Sequence, residues 1–170
     1  MTRFFYVIAT YLVALAIDVS PLLHPSPMLI WNASASAPIG LYAVQQGYPL
    51  KHGDLVIAAP PGPLATFLAE RNYLPRGVPL LKHVAAMSGE LVCRRGLVIT
   101  IDGIVVAAAL THDRAGRPLP IWQGCHKLTP NEIFLLNCAV PDSFDGRYFG
   151  PLPTTSVIGR AVPLWTNKEQ

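Results

Sequence analysis

Leu97-Val98-Ile99-Thr100-Ile101-Asp102-Gly103-Ile104-Val105-Val106 reads as two runs rich in β-branched residues meeting at an Asp-Gly pair. That pair suits the positive φ angles of a type I′ turn, so the stretch predicts a tight antiparallel hairpin. Similar short runs, broken by glycine and proline, lie on both sides of it: Asp54-Leu55-Val56-Ile57-Ala58, Val78 to Val84, Glu132 to Cys138 and Val157 to Leu164. Runs of this length and composition predict strands. Leu64 to Asn72 is the one credible helix, with Leu64, Phe67 and Leu68 on a shared face and Pro63 able to sit in the first turn. The 17 prolines and 13 glycines fall between runs and form no repeat. The domain is therefore expected to be mainly β with one short helix.

The 170 residues allow one globular domain. Only 14% of them are charged and 51% are hydrophobic, against about 25% charged in ordinary soluble chains. The apolar excess is concentrated at the N-terminus, where Phe4 to Ile17 is almost wholly apolar and the run can be extended past Asp18 to Leu23. This is a signal helix or a membrane span. The best small-x-small cleavage site lies within Asn32-Ala33-Ser34-Ala35-Ser36-Ala37, inside a motif that matters below, which favours an uncleaved anchor. Arg3 is the sole basic residue before Lys51. That asymmetry places the N-terminus in the cytoplasm and the domain outside. Pro21, Pro25 and Pro27 prevent the helix from running on. The expected division is an anchor or signal over 1–23, a proline-rich linker over 24–29 and a periplasmic domain over 30–170.

The formal net charge of +3 is mild and scattered, which argues against nucleic acid as a partner. Cys93, Cys125 and Cys138 match no zinc spacing. In an oxidising compartment Cys93 is expected to pair with Cys125, leaving Cys138 as a reduced core residue in an apolar strand.

Three segments can carry chemistry. The first, Asn32-Ala33-Ser34-Ala35-Ser36-Ala37-Pro38-Ile39-Gly40-Leu41-Tyr42, reads by itself as a surface loop. In the second, Leu80-Leu81-Lys82-His83-Val84, strand alternation sets Lys82 between Leu80 and Val84 on one face, with His83 on the other. An edge strand with a protective lysine is the ordinary explanation. The chemical one is that an exposed lysine costs about 5 kcal/mol to deprotonate at pH 7, whereas apolar burial lowers its pKa and creates a base. The third, Ser143-Phe144-Asp145-Gly146-Arg147, reads either as a charged turn with a structural Asp-Arg pair or as a support that brings Ser143 and Asp145 to the lysine amine, with Arg147 as the counter-charge of Asp145.

Together and in this order, the segments resemble the bacterial signal peptidase family, and most closely its TraF branch from conjugative transfer systems. His52-Gly53-Asp54-Leu55-Val56 and Gly89-Glu90 add to the likeness, which covers essentially the whole chain. Ser36 stands two residues before Pro38, and Gly146 follows the acidic residue, as in TraF; housekeeping signal peptidases have one more residue before the proline and a serine in place of Gly146.

The resemblance implies a signal-peptidase-like or LexA-like β-fold and a serine endopeptidase without a cofactor or metal. Ser36 would be the nucleophile, Lys82 the general base and Asp145 the acidic residue, with Ser34 and the Ser36 backbone forming the oxyanion hole and Ser143 and Arg147 in support. It implies a precursor protein such as a pilin as substrate, cleaved after small residues or cyclised, and the inner membrane as location. A Ser-His-Asp hydrolase is disfavoured because no Gly-x-Ser-x-Gly elbow is present. A metalloprotease is disfavoured because His-Glu-x-x-His is absent. The rival of another class is a non-catalytic, membrane-tethered β-module that assists assembly of a conjugation or secretion apparatus.

Overall fold

The computed structural model describes residues 2–19 and 29–167. The first element, α1 (Thr2–Val19), covers most of the apolar N-terminal run, and Phe4, Phe5, Tyr11 and Leu12 on it are exposed. No helix among the described residues is long and apolar enough to cross a membrane. Residues 20–23 of the expected anchor, and all of the expected linker but its last residue, lie outside the described residues.

The domain is built from β1 (Leu29–Asn32), β2 (Gly40–Gln45), β3 (Leu55–Ala58), α2 (Gly62–Glu70), β4 (Leu80–Ala86), β5 (Leu91–Arg95), β6 (Val98–Ile101), β7 (Ile104–Ala108), β8 (Gly124–Lys127), β9 (Glu132–Leu136), α3 (Gly146–Phe149), β10 (Leu152–Pro153) and β11 (Val157–Thr166). They form a seven-stranded sheet in the order β1-β2-β11-β3-β4-β9-β10 and a four-stranded sheet in the order β7-β6-β5-β8. The β6–β7 hairpin turns at Asp102 and Gly103, with φ of 48° and 82°, and pairs Ile101 with Ile104. This is the left-handed pair that the Asp-Gly dipeptide favours. Helix α2 starts and stops two residues earlier than expected. Arg71 caps it and Asn72 turns away at a φ of 55°, a conformation asparagine tolerates better than most residues.

Alternation along the strands decides what is buried. Val56 and Ala58 of β3, Leu80 and Val84 of β4, and Ile133 and Leu135 of β9 join Leu68 of α2 in one apolar cluster. Phe134 and Leu136 of β9 pack with Val92, Ile99 and Ile101 of the second sheet. Strand β9 thus supplies side chains to both cores, and each such buried side chain contributes about 1.5–3 kcal/mol.

Cys93 of β5 lies directly opposite Cys125 of β8 and the two form a disulfide, with Cα atoms 4.0 Å apart. Cys138 corrects the expectation of a core thiol. Strand β9 ends at Leu136, the chain turns at Asn137, and Cys138 is exposed and free. Closing a loop between residues 32 positions apart restricts the unfolded chain, so reduction is expected to lower stability by about 3–4 kcal/mol. Thermal denaturation with and without reductant, and a thiol count on the unreduced denatured protein, measure this; three titrating thiols instead of one would refute the pairing.

Candidate active site

The turn from Ala33 to Ile39, between β1 and β2, is held by its own carbonyls. Asn32 is buried, and its Nδ2 lies 3.0 Å from the carbonyl oxygens of Ser34, Ala37 and Pro38, while its Oδ1 accepts from the Ser34 backbone N–H at 3.0 Å. The Tyr42 hydroxyl donates to Pro38 O at 2.6 Å. Gly40 closes the turn where a Cβ would stand 2.1 Å from the Trp165 carbonyl oxygen of β11, so only glycine fits. The sequence motif from Asn32 to Tyr42 is therefore the set of residues that fixes this turn, with Ser36 half-buried at its bend.

Strand β4 brings Lys82 to the same place. Lys82 is 4% exposed, and its Nζ lies 3.2 Å from Ser36 Oγ and 2.7 Å from Ser143 Oγ. Ser34 Oγ lies 2.8 Å from Ser36 Oγ and accepts from the Ser36 N–H at 3.3 Å. Ser34, Ser36, Lys82 and Ser143 line one cleft of about 800 Å³, whose walls include Trp31, Leu74, Val78 and Phe144. Burial is the largest influence on the amine and pulls its pKa from 10.5 to about 8, against an upward pull from the Asp145 charge; Arg147 adds a smaller downward one. Deprotonation at pH 7 then costs about 1 kcal/mol in place of about 5. Such an amine can accept a proton from the neighbouring hydroxyl near neutral pH.

Asp145 is the partner of Arg147, the first of the two readings that its segment allows. It makes no hydrogen bond to Lys82. Its carboxylate is fully buried and accepts from Arg147 Nε at 2.9 Å and Nη2 at 2.8 Å, from the Arg147 N–H at 3.1 Å as the N-cap of α3, and from the Asn137 N–H at 3.0 Å. Arg147, 1% exposed, donates onward to the carbonyls of Pro141 and Val140 at 2.7 Å each and of Asn137 at 3.1 Å. The pair thus shapes the whole loop from Asn137 to Arg147. Ser143, not Asp145, is the direct partner of the amine, and Asp145 acts on it through charge alone. Gly146 packs against β9, where a Cβ would stand 2.7 Å from Phe134 Cε2 and 2.8 Å from Leu135 O.

Sequence reasoning missed Asn137 and Arg94. Arg94 is fully buried and donates to the Pro120 carbonyl at 3.3 Å and to that of Arg147. Asn137 reads as one polar residue near the end of the run from Glu132 to Cys138, and Arg94 as one of an adjacent arginine pair, and neither pattern marks a buried role.

The buried Lys82 amine thus stands between the hydroxyls of Ser36 and Ser143, with Ser34 against Ser36 and the buried Asp145–Arg147 pair shaping the loop behind them. The chain belongs to the signal peptidase family, peptidase S26, whose profile matches residues 1–165, and it is a TraF-like member of it. It is 33% identical to the probable conjugal transfer protein TraF of Sinorhizobium fredii over 145 residues, which cover 79% of this chain and 76% of that one. It is 33% identical to the conjugal transfer protein TraF of Agrobacterium fabrum over 147 residues, 79% of this chain and 81% of that one. A plasmid transfer protein TraF of Escherichia coli is 31% identical over 147 residues, 79% and 82% of the two chains. Among solved structures, a signal peptidase I of Enterococcus faecalis aligns with 18% identity and a TM-score of 0.39 over 66% of this chain and 97% of that one.

Two measurements test this geometry. Asp145→Asn leaves Arg147 buried without its counter-charge and is expected to cost about 3–5 kcal/mol of stability. The same variant should lower the pKa of Lys82, since Asp145 raises it; an unchanged melting temperature with a Lys82 titration moved upward would contradict both points. Lys82 binds its proton more weakly folded than unfolded, so its burial destabilises the protein fully below about pH 8 and progressively less up to about 10.5. Lys82→Met is accordingly expected to raise the melting temperature at pH 7, with the gain fading at higher pH; a gain that persists undiminished to pH 10.5 would show that it has another origin.

Proposed function

We propose that this chain is a serine endopeptidase that cuts precursor proteins after small residues with a Ser36–Lys82 dyad. The observation that carries the proposal is the placement of the buried Lys82 amine between the hydroxyls of Ser36 and Ser143. Membership of the signal peptidase family supports the peptidase reading. The names of the TraF relatives support a role in conjugation.

In the mechanism, neutral Lys82 accepts the Ser36 proton as the serine oxygen attacks the carbonyl of the scissile bond, while Ser143 orients the amine. An acyl-enzyme forms and the protonated lysine returns its proton to the leaving amine. The Ser36 N–H and the Ser34 hydroxyl serve as the oxyanion donors. At rest these two groups bond to each other at 3.3 Å. The substrate carbonyl therefore has to replace that bond, which makes both donors most useful once negative charge develops on the oxygen. Water, or an amine when the product is cyclised, then resolves the acyl-enzyme. The cleft, with Trp31, Leu74, Val78 and Phe144 in its walls, suits an extended apolar segment with small side chains next to the cut.

The proposed location is the inner membrane, with the domain in the periplasm and the apolar N-terminus as its anchor. The Cys93–Cys125 disulfide supports an oxidising compartment. A pilin precursor is the proposed substrate.

Ser36→Ala and Lys82→Met are each expected to abolish cleavage of a co-expressed pilin precursor, read by mass spectrometry, in protein that remains folded. Lys82→Arg keeps the charge and should be equally inactive, because a guanidinium cannot act as base. Wild-type activity should rise with pH along a limb near the Lys82 value of about 8. Appreciable processing by any of these variants would discard the dyad, whereas conjugation complemented undiminished by the Ser36 and Lys82 variants would favour the non-catalytic, membrane-tethered β-module.

A further inference from the structure

The loop that delivers Ser143 leaves strand β9 at Asn137, and Asn137 is 2% exposed although both ends of its side chain are polar. Its Nδ2 donates to the Ser36 carbonyl oxygen at 2.5 Å and to the Leu81 carbonyl oxygen at 3.2 Å. Its Oδ1 accepts from the His83 backbone N–H at 3.2 Å and lies 3.1 Å from His83 Nδ1. Its backbone N–H and carbonyl are taken by Asp145 and Arg147. One side chain therefore touches the residue that carries the nucleophilic hydroxyl and both chain neighbours of Lys82.

Register explains why an amide is needed there. Strand β4 pairs with β9 through His83 and Leu136, so the next residue, Asn137, falls opposite Lys82. At that point the β9 backbone turns away, and the Leu81 carbonyl and the His83 N–H lose a partner strand. A primary amide has the donor and acceptor of a peptide unit. The Asn137 side chain replaces the missing backbone on β4, and its second N–H remains free to hold Ser36. The orientation of the amide is dictated by these partners. Rotated by half a turn, Oδ1 would face two carbonyl oxygens and Nδ2 would face the His83 backbone N–H.

We infer that Asn137 is a positioning residue: its amide sets the separation between the Ser36 turn and the Lys82 strand, and it acts on the reaction only through those two groups. The inference rests on the peptidase reading given above. Asn137 is not among the residues that line the cleft, so it should influence turnover and not substrate binding. Asn137→Asp separates hydrogen bonding from shape, because a carboxylate is isosteric with the amide but has no donor for Ser36 O or Leu81 O.

The experiment uses the 170-residue chain in detergent micelles, with an internally quenched peptide bearing an alanine-rich centre as probe and Ser36→Ala as the zero. Both Asn137→Ala and Asn137→Asp are expected to lower kcat by about 10²-fold, the scale of a misplacement of about 1 Å, with KM within a factor of about three of wild type. Rates are taken per folded molecule, from the folded fraction measured by near-ultraviolet circular dichroism on the same samples. Should the Asn137 variants fail to fold, His83→Ala removes the imidazole that lies against Oδ1 and is expected to lower kcat by about fivefold at unchanged KM. The inference is overturned if folded Asn137→Asp keeps a wild-type kcat, if the loss follows the unfolded fraction alone, or if KM rises while kcat holds; with neither Asn137 variant folded, a wild-type kcat in His83→Ala overturns it. Wild-type protein that fails to cleave the probe and also fails to acylate at Ser36 would overturn the peptidase reading and this inference together, whereas active wild type beside unimpaired Asn137 variants would overturn this inference alone.

Discussion

The buried pair of Asp145 and Arg147 is the constraint on which the site is assembled. An ion pair with both partners about 1% exposed or less is held only if every remaining lone pair and proton finds a partner. Here those partners are backbone groups at Asn137, Val140, Pro141 and Arg147 itself. Satisfying the charges thus determines the path of the loop, and the path of the loop determines where Ser143 and Asn137 stand. The lysine lies at the end of this chain of causes. It is a buried amine whose supports come from a turn 46 residues before it and a loop 61 residues after it.

The second consequence is electrical. Lys82 feels burial more strongly than any neighbouring charge, so its pKa falls although a carboxylate lies near. Arg147 cancels part of the pull of that carboxylate by occupying it. Without Arg147 the upward pull of the carboxylate would stand unopposed and the amine would hold its proton more tightly. The same pair therefore builds the loop and leaves the lysine weak enough as an acid-base group to work near neutrality.

Those parts of the molecule that depend on local pattern were legible in the sequence. Asp102-Gly103 between β-branched runs specified the β6–β7 hairpin, and the placement of Lys82 between Leu80 and Val84 marked it as an odd residue in a buried strand. Strand β8 could not be read this way, because Gly124-Cys125-His126-Lys127 is exposed at every position and owes its strand form to pairing with β5. Strands β1 and β2 were not read because the segment that joins them, Asn32 to Tyr42, looks by itself like a surface loop. Cys138 was assigned to the core because β9 was extended two residues too far; what stops that strand is the demand of Arg147 and Asp145 for the backbone of Asn137. The contribution of Asn137 itself joins residues 54, 56 and 101 positions apart. No local pattern encodes such contacts, and only the folded register brings them together.

Gly146 carries a consequence for how such a chain can diverge. Its missing side chain lets α3 lie against the ring of Phe134 and the carbonyl of Leu135, in the middle of the core strand. A serine at this position, as in the housekeeping signal peptidases that the sequence otherwise resembles, would collide with both. The ring is fully buried and packed in the cluster between the sheets. A side chain at position 146 can therefore be accepted from this packing only if the loop or the inner face of β9 shifts with it.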